Sequence, residues 1–134
     1  MDVTLRTNAS DPRLAFCNIR QLDATSYECE LQVRSNGFLI ERPFWFEAPE
    51  LTAFVEKLRT MNHTLAGEAE LRTRYEDNFV RLVVSPRGVV EVTGVSTEYS
   101  VPSQQLRFAF ETDQTVLAPF AADLATLLTA RAIQ

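Results

Sequence analysis

The strongest constraint in this sequence is a strict alternation of apolar and polar residues over Tyr27–Arg34. Odd-numbered positions are apolar and even-numbered ones are charged or polar. Side chains of a strand point to opposite faces in turn, so this period of two predicts a strand with one buried and one hydrated face. Asn36-Gly37 then supplies a turn, and Phe38–Phe46 is predicted to return as the next strand. Pro43 places that strand at a sheet edge or a bulge, because proline donates no backbone hydrogen bond.

Two segments have the periodicity of helices. Pro49 and Glu50 suit a first helical turn, and Gly67 marks the exit. Apolar residues recur between them at three- and four-residue steps: Leu51, Phe54, Val55, Leu58 and Met61. A second helix over about Pro119–Arg131 has the stripe Phe120, Leu124, Leu127 and Leu128. Each segment is therefore predicted to bury one face.

Alternation and turn residues predict five further strands: Leu14–Leu22, Glu68–Arg72, Phe79–Val84, Val89–Val95 and Gln105–Glu111. Wet-faced strands joined by tight turns indicate an antiparallel sheet, and one-sided helices must cover its apolar face. We therefore predict a single α+β domain over residues 1–134, with about six to eight antiparallel strands and both helices on one face. The predicted core contains Leu51, Phe54, Leu58, Phe108, Phe110, Phe120, Leu124 and Leu127.

Charge and hydropathy exclude several classes of partner. The chain carries 18 acidic and 13 basic residues, a formal net charge of −5, and its bases are not clustered. A protein that grips phosphates needs a concentrated positive field, so nucleic acid is not expected as a partner. A basic protein is favoured instead. No apolar run approaches the ~20 residues of a membrane span. The N-terminus, Met1–Arg6, has no signal-peptide pattern, so we expect a cytoplasmic protein and no membrane partner.

We predict no catalytic residues, no metal and no cofactor. The sequence contains no glycine-rich phosphate loop, dinucleotide fingerprint or nucleophile elbow. Its single histidine, His63, lies at the end of the first predicted helix, where a cationic side chain commonly interacts with the helix dipole. Cys17 and Cys29 are too few for a structural zinc site. We expect them to be buried free thiols, although a hairpin register that sets them face to face is also compatible with the pattern.

Acidic residues on the polar sides of strands are the main candidates for function. Glu28 and Glu30 share one strand face, and so do Glu68 and Glu70. Paired carboxylates can serve acid–base chemistry, form a solvated face, or bind a basic partner. Trp45 faces either the core or an interface, where tryptophan is a common anchor. We predict a partner-binding surface made of Glu28, Glu30, Glu68, Glu70, Glu91 and Trp45.

The polar run Glu111–Thr115 joins the last predicted strand to the last helix. Thr112, Asp113 and Thr115 are residue types that bind free backbone groups at turns and helix starts. The run is therefore predicted to be a capped junction, with a recognition loop as the alternative.

Several segments resemble the WapI-type immunity proteins, small bacterial cytoplasmic proteins attributed to contact-dependent toxin systems. The resemblance covers roughly residues 27–128 and is most specific at Glu111–Thr115. It also includes Phe38, Leu51, Phe54, Leu65–Leu71, Gly88, Glu91-Val92 and Leu106–Phe110. The chain departs from the family pattern at Glu41–Phe46, which is bulkier, and at Thr97–Ser103, which is longer. The resemblance implies a non-enzymatic inhibitor that binds a cognate toxin protein, with a nuclease domain as one candidate, and it supplies no catalytic residues.

Two other functions remain compatible with the sequence. One is a small-molecule-binding or enzymatic domain with its site between sheet and helices, which would require a deep pocket with convergent polar groups. The other is a structural or adaptor subunit. The sequence does not distinguish a monomer from a homodimer that pairs through an edge strand.

Overall fold

The computed structural model describes residues 1–73 and 77–133, with residues 130–133 described by their backbone alone. The strands are β1 (Val3–Leu5), β2 (Arg13–Gln21), β3 (Ser26–Ser35), β4 (Phe38–Glu47), β5 (Glu68–Arg72), β6 (Phe79–Val84), β7 (Val89–Glu98) and β8 (Gln104–Asp113). The helices are α1 (Ala48–Thr64) and α2 (Leu117–Ile133), the latter preceded by a 3-10 turn at Gln114–Val116. Four strands and a helix thus occur twice in succession.

Strands β1 to β4 form an antiparallel sheet in chain order, here called the N-terminal sheet. Asn36 and Gly37 both have positive φ (52° and 85°), as the predicted two-residue hairpin turn requires. The alternation of Tyr27–Arg34 is confirmed, because its apolar side chains are buried. Pro43 lies in β4, the edge strand, opposite Glu30. The predicted edge position is therefore also confirmed.

Strand β2 contains a bulge, and β1 was not predicted. The register between β2 and β3 shifts between Cys17 and Arg20, where Asn18 adopts a left-handed φ of 54°. The backbone N–H of Asn18 donates to Asp2 Oδ1 at 2.8 Å, and the N–H of Ile19 donates to the Met1 carbonyl at 2.8 Å. Three residues are too few to show a period, so β1 left no signal in the sequence.

Strands β5 to β8 form a second antiparallel sheet in chain order, the C-terminal sheet. The β6–β7 hairpin turns at Ser85–Gly88, and the Gly88 N–H donates to the Ser85 carbonyl at 2.9 Å. The α+β class, the antiparallel pairing, the eight strands and the two helices are confirmed. The strands are divided between two sheets: α1 connects β4 to β5, and each of these two strands is an edge of its own sheet.

The inner faces of both sheets and the apolar stripes of both helices share one buried cluster. All eight predicted core residues are buried. Phe120 of α2 joins the parts of this cluster. Its ring stacks on Phe16 of β2 with centroids 6.2 Å apart, and meets Phe54 of α1 edge-on at 6.1 Å.

The helices begin and end close to the predicted positions. Pro49 lies in the first turn of α1, and Leu65 ends the helix in a left-handed conformation with its N–H bonded to the Met61 carbonyl at 2.8 Å. Helix α2 begins at Leu117, two residues before the predicted start. The helices pack on each other, α1 also contacts β5, and α2 contacts β1. Among the described residues, no helix has the length and apolar character needed to cross a membrane.

Candidate protein-binding surfaces

The five predicted glutamates lie on the outer faces of two different sheets. Glu28 and Glu30 belong to β3 of the N-terminal sheet, whereas Glu68, Glu70 and Glu91 belong to the C-terminal sheet. The expectation of one open sheet face that collects all five assumed a single sheet. Two sheets divide them into two smaller groups.

Trp45 lies beside the first group. It is directly opposite Glu28 on the neighbouring strand and is half-buried, while its neighbours Phe44 and Phe46 are buried in the core. Its side chain therefore belongs to the outer face of the N-terminal sheet. Glu28 forms an ion pair with Arg20 at 3.3 Å. Glu30, which lies two residues along the same face, accepts a hydrogen bond from Gln32 Nε2 at 2.7 Å.

In the second group, Glu70 is held by two arginines. Arg72 Nε lies 3.2 Å from Glu70 Oε2, and Arg81 Nη2 lies 3.4 Å from Glu70 Oε1. Both guanidinium groups also lie over the ring of Phe79, at 4.8 and 5.8 Å from its centroid. The hydrogen bond to Glu70 raises the pKa of Arg72 above its ordinary value. The negative charge of Glu70 is thus largely compensated within the protein.

A row of acids crosses the same sheet and is compensated much less. Glu68, Val83, Glu91 and Glu111 are successive cross-strand partners from β5 to β8. We call Glu68, Glu91 and Glu111 the acidic row. Glu68 has only a distant contact, 3.9 Å, with Arg81. Among the described side chains, no arginine or lysine lies within ion-pair distance of Glu91 or Glu111.

Glu91 and Glu111 face each other directly, an arrangement that disfavours folding slightly because like charges repel across neighbouring strands. The sequence pattern had indicated only that Glu111 belongs to the junction run, not to this surface. Only the β7–β8 register reveals the pair, since 20 residues separate its members along the chain. The acidic row is therefore a feature of tertiary structure.

The junction at Glu111–Thr115 is capped as predicted. Asp113 Oδ1 accepts a hydrogen bond from the Thr115 N–H at 2.9 Å and another from the Thr115 hydroxyl. These bonds lower the pKa of Asp113, since they favour its ionised form. Glu111, Thr112 and Asp113 belong to β8, and Gln114 and Thr115 begin the 3-10 turn.

A cleft opens between the edge of β4 and the ends of β7 and β8. It has a volume of about 400 Å³ and is lined by Leu39, Ile40, Glu41, Arg42, Ser96, Glu98, Gln104, Gln105 and Leu106. An ion pair between Arg42 and Glu98 joins its two walls. Two of its lining side chains are exposed and apolar, Leu39 (53% exposed) and Leu106 (37%), and Phe38 (67%) is exposed next to Leu39. A second cleft of about 210 Å³ continues past Phe38 towards Phe108.

No pattern in the sequence indicated this cleft. Leu106 lies on the same strand face as the buried Phe108 and Phe110, and Phe38 lies on the face of Ile40. Their patterns are those of core residues. Their exposure depends on how the two sheets and the helices pack, which no local pattern encodes.

The remaining chemical candidates do not converge on a site. His63 is exposed at the end of α1. Cys17 and Cys29 are buried free thiols, as predicted, and they do not face each other, because Cys17 pairs with Glu30. Burial raises the pKa of both thiols. Within residues 1–73 and 77–133, no group of three or more histidines, cysteines, aspartates or glutamates is arranged to hold a metal ion.

Comparison with known proteins places this architecture in a family. No curated protein matches the chain. Among solved structures, it is similar to a chain from "Crystal structures of trypanosoma bruciei MRP1/MRP2", with a TM-score of 0.49 and 16% sequence identity. The similarity covers 98% of this chain and 86% of the other. The immunity protein WapI-like family matches residues 8–130, nearly the whole sequence. The chain therefore belongs to the immunity protein WapI-like family.

Proposed function

We propose that this chain is a non-enzymatic immunity protein that binds a cognate toxin protein and neutralises it. The observation that carries the proposal is the family match over residues 8–130. The two buried free thiols fit a reducing compartment, and we place this action in the cytoplasm. We further propose that the protein works as one compact unit, with the toxin bound to the outside of the sheets.

The acidic row is the surface that best fits a basic partner. Its carboxylates lie on paired strands of one sheet, and Glu91 and Glu111 have no compensating base among the described side chains. The charge of such a row acts over about a Debye length, ~8 Å at physiological salt, so its effect is strongest on a partner surface that docks nearby. A nuclease domain fits this requirement because a surface that binds nucleic acid is basic.

We assign different tasks to the two groups of predicted residues. Glu68, Glu91 and Glu111 speed the encounter by long-range attraction, whereas Glu70 acts mainly through its arginine neighbours. Glu28, Glu30 and Trp45 form a second contact area on the N-terminal sheet. The half-buried indole of Trp45 there supplies apolar area next to the carboxylate of Glu28.

Co-expression tests the function itself. The chain is produced in bacteria together with the toxin domain encoded beside its gene, and growth and co-purification are recorded. We expect growth to be rescued and the two proteins to purify together. Growth arrest with no complex would contradict the immunity function for this pair.

Charge reversal tests the surface. We expect Glu91→Lys to slow association with that toxin by about threefold or more at low salt, because steered association is sensitive to local charge. The matched control is Glu56→Lys on the exposed side of α1, which changes the net charge equally away from the acidic row. Stopped-flow rates across a salt series provide the measurement. Equal effects of both variants at all salt concentrations would show that net charge, and not the acidic row, attracts the toxin.

A further inference from the structure

Strand β4 is an edge of the N-terminal sheet, and its hydrogen-bonding pattern shows which residues face outward. The Ala48 N–H donates to the Thr25 carbonyl at 2.7 Å, which continues the β3–β4 ladder beyond the end of β4. Residues of an antiparallel edge strand alternate between bonding to their partner and pointing away from it. Counting back from Ala48, even-numbered residues bond to β3. The backbone N–H and C=O groups of Leu39 and Glu41 therefore point away from β3, towards the open side of β4.

The same alternation of inward and outward residues applies to Pro43. It is an odd-numbered position, so the N–H that proline lacks would have pointed outward and no ladder bond is lost. Proline thus ends the usable edge, which extends from the turn after Gly37 to Arg42. Five residues of antiparallel strand cover roughly 17 Å, about the length of a short edge strand.

The 400 Å³ cleft lies directly beside this edge. Its opposite wall is the inner face of the β7–β8 hairpin, where Leu106 is 37% exposed beside Ser96. A strand laid along β4 would alternate between two environments. One set of its side chains would meet Leu106 and Ile40, and the other set would lie on the outer side beside Leu39 and Glu41.

Charge distinguishes the two environments. Glu98 forms an ion pair with Arg42. The hydrogen bond from the Ser100 N–H and this ion pair lower the pKa of Glu98. Glu41 is exposed, and no base among the described side chains lies within ion-pair distance of it. Arg34 lies opposite Leu39 on the same outer face, so the position beside Glu41 is the one that is complementary to a positive charge. On the inner side, the positions beside Ile40 and Leu106 are complementary to apolar groups.

We propose that this cleft binds an extended segment of a partner protein as a fifth strand of the N-terminal sheet, with apolar side chains towards Leu106 and a basic side chain beside Glu41. Backbone hydrogen bonds to Leu39 and Glu41 supply affinity, and the alternation of apolar and basic residues supplies selectivity. The site is separate from the acidic row. Binding at this cleft requires a partner with an extended segment that alternates apolar and basic residues, whether or not that partner is a toxin.

The probe is a capped seven-residue peptide of alternating valine and lysine. Its control is the same peptide with glutamate in place of lysine. Amide exchange of the full chain is followed by NMR. We expect the lysine peptide at saturation to slow exchange of the Leu39 and Glu41 N–H groups about tenfold or more, because both become hydrogen-bonded. No slowing at these two groups, or equal slowing by the glutamate peptide, would overturn the proposal.

Two variants of one residue separate backbone from charge. Glu41→Pro removes an outward N–H without breaking a bond to β3. We expect this variant to lose peptide binding while its NMR spectrum shows that the fold is retained. Glu41→Gln keeps the N–H, and we expect it to weaken binding about two- to fivefold, the usual worth of an exposed ion pair. Unchanged binding by Glu41→Pro would contradict strand addition.

A second copy of the chain is the competing occupant. It would slow exchange at Leu39 and Glu41 without peptide and in proportion to protein concentration, with a dimer visible in sedimentation. That result would overturn the assignment to a different partner. We expect exchange at these two groups to be independent of protein concentration.

Discussion

The two halves of the chain have the same order of elements but bury different kinds of side chain. Each half has four antiparallel strands in chain order followed by a helix of 17 residues. The N-terminal sheet turns aromatic rings inward: Phe16, Phe44 and Phe46 contact one another, and Tyr27 stacks on Phe46. The inner face of β6 and β7 is aliphatic, with Val80, Leu82, Val84, Val90 and Val92 buried. The same order of elements therefore tolerates interiors of different shape, because the periodicity of each strand specifies burial and not which side chains meet.

The halves are nevertheless joined through their helices. Phe120 of α2 stacks on Phe16 of the N-terminal sheet, and the Tyr27 hydroxyl donates to the Leu127 carbonyl at 3.4 Å. Helix α1 contacts β5 of the C-terminal sheet. Each helix thus contacts an edge strand of the other half. We expect the halves to unfold together, since neither retains its helix packing alone.

Removing Phe54 should have the largest effect on stability. Its ring meets Phe120 edge-on at the contact between the two helices, and it is 1% exposed. We expect Phe54→Ala to lower the free energy of unfolding by ~3–5 kcal/mol, from lost burial and the cavity left behind. Urea titration followed by two probes, one in each half, gives the measurement. The control Thr60→Ala, on the exposed side of α1, should change stability by about 0.5 kcal/mol or less.

Two separate transitions in that titration would show that the halves are independent. A loss below about 1 kcal/mol would place Phe54 outside the shared core, because exposed positions give effects of that size.

Overpacking the C-terminal sheet should have the second largest effect. Gly94 lies opposite Phe108 on β8, and an added Cβ would come within 2.3 Å of the Phe108 ring and 2.5 Å of the Phe79 carbonyl oxygen. The ring can turn, but the carbonyl belongs to the backbone of β6. We expect Gly94→Ala to cost ~1–3 kcal/mol, the usual range for an overpacked site. Thermal unfolding compared with Gln105→Ala, an exposed position on β8, would measure it, and an unchanged midpoint would contradict the close packing.

The smallest expected effect on stability concerns Cys29, which lies on β3 of the N-terminal sheet. Burial raises the pKa of its thiol in the folded state above the unfolded value of ~8.5. The thiol therefore contributes its full stability below pH ~8.5 and loses that contribution as the pH rises, because only the unfolded chain then ionises. We expect wild type to lose ~1.4 kcal/mol more per pH unit than Cys29→Ala above pH ~9.

Urea titrations of both proteins between pH ~7 and ~10 provide this comparison, with other titrating groups cancelling in the difference. Identical pH dependence would mean that the thiol is solvated in the folded protein.

Local sequence patterns determined the elements and the buried residues of this protein. The alternation of Tyr27–Arg34, the turn at Asn36-Gly37 and the helical stripe through Phe54 each depend on neighbours within a few residues. Such signals are physical statements about one strand or one helix, and the structure confirms them. The eight core residues follow from the same logic. The capped junction at Asp113 was also predictable, because its hydrogen bonds are local.

Tertiary structure alone decided how these elements share surfaces. The division into two sheets, the contacts of α1 and α2, and the pairing of Glu91 with Glu111 all join residues far apart in the chain. The alternation of apolar and polar residues indicates that Leu106 and Phe38 point to an apolar face. It does not indicate whether another element covers them. Both candidate surfaces arise from such long-range relations, the acidic row from strand register and the cleft from the approach of β4 to the β7–β8 hairpin. Periodicity fixes the orientation of a side chain relative to its own element, whereas its neighbours depend on how the elements pack.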